Sequence, residues 1–526
     1  MPKPAANSIK STARDQLKQG GVLKWPLSEI AENFNYNELD GALADGLAIE
    51  RALMPIVMIS DATGTVSPNS DYLTSAKLNE RSGKQVVTYE INPKARWSDG
   101  TPLSWKDFEA SWTALSGKNN KYKISSSAGY ELISSVRRGK TDQDVIVTFA
   151  SPFSDWKSLF SPLYPAKIIG TPDGFNTGYL GKFPVTSGAF SFQKIDKTAK
   201  TLTVVRNDRW WGKRAILDKI VYRALASDAA AGAFANGEVD FFNIGPNSAA
   251  YDQAKEVKSA EIRKAAGPNY RHLTFNGARG PLKDVRVRQA IMAALNRKII
   301  AESDLQGLDW KAEPLNNHFY VTNQKGYSNN GKDVGEYKPS KAKSLLDASG
   351  WKMAGSFRAK NGKTLELEFV IPANSSTSTN EGKLIRLMLG AVGIKVNVKP
   401  VPLQDFFDKY VNAGKFDLTA FSWIGTPFPI STAKSIYSKP TNGNIQQNYT
   451  GVGSDKLDAA MDSAEAATNS AQVIADVNAA DVLIWSQANV LPLYQRPDIF
   501  AVKKSLANVG AYGFQDPRYE NMGFIK

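Results

Sequence analysis

At 526 residues the chain exceeds the roughly 250–300 residues at which a single core stops growing, so more than one folded unit is expected. Its 42% hydrophobic and 22% charged content is ordinary for a globular protein and excludes extensive disorder. The net charge is +14, but Lys and Arg are scattered rather than gathered with stacking aromatics, which argues against nucleic acid and suits work beside an anionic membrane surface.

The chain contains no cysteine, which removes disulfides, thiolate metal sites and Cys nucleophiles. Its two histidines, His272 and His318, lie far apart, so no metal and no cofactor is expected. Phosphate-cradling, dinucleotide, nucleophile-elbow and His-Glu-x-x-His patterns are missing, and no catalytic residue is assigned. Residues 1–19 are polar, without the apolar stretch of a signal peptide, and read as a flexible leader. They suit either a cytosolic protein or a mature form with an added Met1.

In chain order, Gly20-Gly21 opens a strand at 22–25, bounded by Pro26, and a helix follows at 45–54. Residues 86–91 alternate at period two and predict a strand; 106–115 carry apolar residues at helical spacing, and 145–149 form another strand. Strands are expected at 189–195, 202–206, 219–222, 239–244 and 271–276. One helix is expected over 285–300 with Asp284 as N-cap. Beyond it, helices at 341–348, 381–389 and 403–411 alternate with strands at 365–371, 394–398 and 416–423, a pattern that implies parallel pairing. Two amphipathic helices lie within 454–488, and Leu491-Pro492-Leu493-Tyr494 starts a return segment.

Residues 95–108, Ala-Arg-Trp-Ser-Asp-Gly-Thr-Pro-Leu-Ser-Trp-Lys-Asp-Phe, resemble the signature of the peptide/nickel/oligosaccharide-binding proteins of ABC importers (solute-binding family 5). Further matches follow in order: 207–212 and 217–223, Gly237-Glu238-Val239-Asp240, 270–276 with 284–290, 337–350 and 491–494. Locally, Asp99-Gly100 supplies a turn with a left-handed glycine, Pro102 fixes the exit, and Trp97 and Phe108 are expected to be buried.

The resemblance implies an α/β, two-lobed periplasmic-binding-protein-like fold of the large cluster C type, with an extra subdomain and a hinge. One lobe would comprise 20–56, 179–275 and 492–526 with an appended subdomain at 57–178; the other would be 276–491. It further implies a monomeric, extracytoplasmic, often lipid-anchored binder that closes on an oligopeptide and delivers it to a permease. An oligosaccharide or modified peptide is the alternative solute, and a hydrolase on the same scaffold is the alternative class.

The segment from Phe416 to Pro427 resembles the strand and loop with which such proteins grip a peptide, making Trp423, Ile424, Gly425 and Thr426 candidate ligand contacts. Many relatives carry an Asp shortly after that Trp to hold the peptide's amino group; here Thr426 stands in its place. Trp423 reads either as a ligand shelf or as a core aromatic. Glu29 and Asn243 match cleft-facing positions, and Glu29 is either a replacement amino-group partner or a surface acid. The amide-rich stretch Asn444–Tyr449, with Gln446, Gln447 and Asn448, suits a peptide backbone or sugar hydroxyls, or else is a solvated loop. Tyr494 and Gln495 flank the second crossing between lobes, where an aromatic can wall the cleft, and are candidate ligand contacts; His272, in the first, is a candidate that reads more simply as structural.

Overall fold

A computed structural model describes residues 5–81, 83–226, 228–440 and 445–526, with Gln404 and Asp408 described by their backbone alone. The chain divides into two compact units, residues 5–265 with 498–526, and residues 266–497.

In the first unit, strand β1 (Val22–Leu27) runs straight through Pro26. Proline is tolerated because this is an edge strand, paired only with Lys219–Ala224. Helix α1 (Ala44–Leu53) buries Ile49, Ala52 and Leu53. Strands β2 (Leu73–Arg81) and β3 (Lys84–Ile91), β4 (Ile133–Arg138) and β5 (Asp144–Phe149) form an antiparallel sheet in the order β2-β3-β5-β4. Helix α2 (Trp105–Leu115) follows the signature turn, where Gly100 adopts φ +89° and Trp97 and Phe108 are buried. This sheet has its own topology, yet its apolar residues join one continuous core with the rest of the unit, from Leu23 through Tyr222 to Met522.

Residues 5–19, expected as a flexible leader, are held instead. Ser8 bridges to Ala511 and Leu17 to Ile525, and Leu17 is fully buried against Ile216 and Ala507. The backbone, with the side chains of Asn7 and Arg14, bonds to the C-terminal segment. Residues 1–4 lie outside the described residues.

The chain passes between the units within two long strands, β6 (Ala260–Phe275) and, near the C-terminus, Val490–Lys503. The divisions at 265/266 and 497/498 fall inside these strands, whereas the resemblance implies 275/276 and 491/492. In the second unit the single helix expected over 285–300 is two. Helix α3 (Val285–Ala294) is capped by Asp284, and helix α4 (Arg297–Asp304) by Asn296, whose Oδ1 accepts from the Ile299 N–H. A second capping residue inside an apolar-periodic run was the overlooked stop signal.

Strand β7 (Glu366–Pro372), helix α5 (Ser376–Gly390) and strands β8 (Lys395–Val401) and β9 (Leu418–Trp423) follow. Strand β7 pairs parallel with β8 and β9, as alternating strands and helices require. Strand β9 also pairs antiparallel with β6, Tyr270 opposite Trp423, so the sheet is mixed. Residues 403–411 form a short α-turn that widens into a π-helix. Helices α6 (Pro429–Tyr437), α7 (Asp455–Ala466) and α8 (Ser470–Gln487) complete the unit, and β10 (Val490–Lys503) returns the chain.

Candidate functional site

Period-two alternation along β6 and β9 decides what surrounds Trp423. His272 and Trp423 lie on one face of two adjacent strands, and their rings stack at 5.4 Å with planes 3° apart. Trp423 also lies nearly parallel to Tyr449 at 6.0 Å, and Phe421 meets Trp423, His272 and Tyr449 edge-on. The His272 ring is fully buried, and neither nitrogen has a hydrogen-bond partner among the described residues. Burial, with the charge of adjacent Arg271, holds its pKa well below the usual imidazole range, so the ring is a neutral aromatic slab. His272 is therefore structural, supporting Trp423 from behind.

After Trp423 the chain turns outward. Ile424 is 66% exposed. The Gly425 N–H donates to Asn269 Oδ1 at 3.1 Å, and a Cβ at this position would lie 2.0 Å from the Pro268 carbonyl oxygen, so only glycine fits. The Thr426 hydroxyl accepts from the Phe428 N–H at 3.1 Å and meets Thr432 Oγ1 at 3.3 Å, just ahead of α6. It shapes the loop and carries no charge. Beside it lies a narrow recess bordered by Tyr270, Phe319, Phe428 and Tyr437.

The amide segment reaches the same place through Tyr449. Gln446, at φ 48°, and Gln447 are exposed, and the Gln447 N–H donates to the Ser435 carbonyl. Asn448 corrects the expectation. It is buried, its Nδ2 donates to the carbonyls of Ser438 and Val452 at 2.8 Å each, and its Oδ1 accepts from Thr450, so no amide group is left for a ligand. Asn444 lies outside the described residues. Gln495 is likewise spent: its Nε2 donates to Gly267 O and Asn323 Oδ1 at 2.7 Å each, and its Oε1 accepts from the Thr322 N–H. Tyr494, expected to wall a cleft, is 1% exposed and belongs to the interior.

Tyr494 instead marks a cluster that pattern reasoning missed. On the opposite face of β6 from His272, Arg271 donates to Glu381 of α5 through Nε at 2.8 Å and through Nη2. Burial works against the Arg271 charge, but this ion pair outweighs it and raises the guanidinium pKa. Asp304, ending α4, sits buried beside them with neither carboxylate oxygen in a well-formed hydrogen bond among the described residues. Burial first, then the charge of Glu381, pushes its pKa well above the usual carboxylate range. Burial and the same two acids push the Tyr494 hydroxyl up as well. An Arg beside His272 near the end of a long crossing strand was the available signal.

Glu29 and Asn243 belong to the first unit. Glu29 is exposed, and its backbone N–H and that of Ser28 donate to Asp45 Oδ2. It borders a recess of about 950 Å³ together with Leu180, Phe192 and Lys194. Asn243 is exposed at a strand end, its Oδ1 accepting from the Gly245 N–H at 2.9 Å. The structure thus groups His272, Trp423, Ile424, Gly425, Thr426, Gln446 and Gln447 in the second unit.

The mixed α/β chain forms two units crossed by two continuous strands. The model for bacterial extracellular solute-binding proteins, family 5 Middle, matches residues 71–444, and the chain belongs to that family. The oligopeptide-binding protein OppA of Mycobacterium tuberculosis (strain ATCC 25618 / H37Rv) is 37% identical over 517 residues, covering 97% of this chain and 86% of that protein. Among solved structures, the periplasmic EDTA-binding protein EppA superposes with a TM-score of 0.89 at 23% identity, over 99% of this chain and 98% of that one. The oligopeptide-binding protein AppA from Bacillus subtilis, solved with a nonapeptide, gives 0.78 at 21% identity, over 97% and 100%. At such identities these two likenesses concern the fold.

Proposed function

We propose that the protein is the substrate-binding component of an ABC importer, capturing oligopeptides outside the cytoplasm and delivering them to a membrane permease. The observation that carries this reading is the 37% identity over 517 residues with a protein named for oligopeptide binding. The geometry around Trp423 fits it. The half-buried Trp423 ring is held rigidly by His272 and Tyr449, and the loop at 424–426 places backbone groups beside it. The protein acts as a monomeric binder rather than an enzyme, held at the cell surface as a lipoprotein or free in the periplasm.

Thr426 refines the ligand. Its hydroxyl is committed to the turn and bears no charge, so no carboxylate from this position meets a peptide ammonium. Intact and N-acetylated versions of one peptide are expected to raise the melting temperature alike. This observation also favours a second reading, an N-blocked peptide or an uncharged solute such as an oligosaccharide. Thermal melting with peptide pools and with oligosaccharides separates the two. The peptide reading fails when no pool shifts the transition and an oligosaccharide does.

A further inference from the structure

Arg297, the first residue of α4, is 6% exposed, yet it has no acidic hydrogen-bond partner among the described residues. Its five N–H groups all go to neutral acceptors. Nε donates to Gly335 O at 3.1 Å, Nη1 to Leu315 O and Pro492 O at 2.6 and 2.9 Å, and Nη2 to Asn316 Oδ1 and Gly335 O at 2.8 Å each. The guanidinium also lies over the Trp485 ring at 5.6 Å. Gly331 and Gly335 permit this close packing: a Cβ on the first would lie 2.4 Å from the Trp485 ring, and one on the second 2.6 Å from Arg297 Nη2.

These bonds satisfy the hydrogens but leave the charge uncancelled. An unneutralised cation taken out of water is costly, and a nearby anion would compensate it more effectively than water does. Burial correspondingly lowers the Arg297 pKa to about 10. Arg297 lines a cavity of about 290 Å³ together with Asn296, Asn316, Lys298 and Lys332. Both lysines are exposed. The only carboxylate lining it among the described residues, Glu336, is already paired with Lys338 at 2.5 Å. Three cations line the cavity; Lys298 also lies 3.9 Å from Glu302, an exposed pair that water screens, and the one lining acid is neutralised by Lys338. None of its lining residues borders the recess beside Trp423.

We propose that this cavity is a second ligand site, for a compact, multiply charged oxyanion of the phosphate type, free or as the headgroup of a phospholipid. Arg297 supplies the fixed positive field from the floor, and Lys298 and Lys332 contact the anion at the rim. The volume leaves room for an ester beyond the phosphate group itself. The site stands independently of which solute occupies the Trp423 region.

Titrating the full-length protein with inorganic phosphate, against chloride at matched ionic strength, tests the site by calorimetry and by melting temperature. Saturable binding with a millimolar or tighter dissociation constant is expected, with no counterpart in chloride. Arg297→Met removes the field but risks the fold. The decisive variant is therefore the double change Lys298→Glu and Lys332→Glu at exposed positions, which should weaken phosphate at least tenfold while leaving the response to peptides unchanged. Sedimentation with phosphatidylcholine vesicles containing phosphatidylglycerol separates the sources. Co-sedimentation that phosphate competes away assigns a lipid headgroup, and phosphate binding without co-sedimentation assigns a soluble phosphate compound. Phosphate acting no differently from chloride, or binding the double variant as tightly as the wild type, overturns the proposal.

Discussion

Replacing Asp304 by Asn should change how the stability of the protein depends on pH. Asp304 lies buried beside Glu381, and the single guanidinium of Arg271 already pairs with Glu381. Two ionised carboxylates there would leave one uncompensated, so the site holds a proton and Asp304 carries it. An unfolded Asp ionises near pH ~3.9, well below the folded value. The native protein thus keeps a proton that the unfolded chain releases. Stability from this group is complete below about pH 4 and is lost as pH rises toward the folded pKa. The loss for one proton is about 1.4 kcal/mol per pH unit.

The amide introduced by Asp304→Asn does not titrate in either state, so the variant is free of that slope. Between pH 5 and 7 the stability of Asp304→Asn relative to wild type should therefore rise by about 3 kcal/mol. Urea unfolding at pH 5, 6 and 7, followed by circular dichroism, reads this directly. Calorimetric unfolding in buffers of different ionisation heat counts the proton: wild type should release one more than the variant at pH 7. Parallel pH profiles and equal proton counts would refute the reasoning, because they would mean that Asp304 is ionised in the native state.

Glu381→Gln should abolish the same slope, since Asp304 then ionises against Arg271; the net loss of stability should fall short of the roughly 3–5 kcal/mol typical of an orphaned buried charge, read by the same denaturant series. Trp423→Ala should weaken peptide binding by about 2 kcal/mol, roughly thirtyfold, in calorimetry below the melting transition. An unchanged affinity would return Trp423 to the core. Gly100→Ala meets open space but a backbone at φ +89°, so it should cost about 1–2 kcal/mol through backbone strain alone, seen as a lowered melting temperature without loss of peptide affinity.

The signature segment was legible because its interactions are local. The Thr101 N–H meets Asp99 Oδ1 at 3.0 Å, the Ser104 N–H meets Asp107 Oδ2 at 3.0 Å, and Trp97 Nε1 donates to Asp107 at 3.2 Å, all within a short stretch of chain. The Arg271, Glu381 and Asp304 cluster was not legible, because its members come from a crossing strand and two helices far apart in sequence. Alternation can put Arg271 on the face opposite His272, but it cannot name the partner. Asn448 and Tyr494 were misread for a related reason. An amide or a phenol carries the same residue label whether it meets a ligand or the interior, and burial depends on long-range packing. The leader failed similarly, since polar side chains do not reveal that a backbone is bonded to the distant C-terminal segment.

Thr426 combines both kinds of information. Its oxygen accepts the Phe428 N–H, a role that an Asp carboxylate performs equally well at the start of a helix. The turn therefore does not discriminate between the two residues, and what separates them is the charge presented beside Trp423. Thr426→Asp should keep the stability within about 0.5 kcal/mol of wild type while introducing a preference for free over acetylated peptide amino groups, about 1.5–3 kcal/mol or roughly ten- to a hundredfold. A matched pair of intact and acetylated peptides in calorimetry measures it. Equal affinities in the variant would mean that the ligand's amino end lies elsewhere, and Glu29, an exposed carboxylate with no ion-pair partner among the described residues, would be the next residue to test.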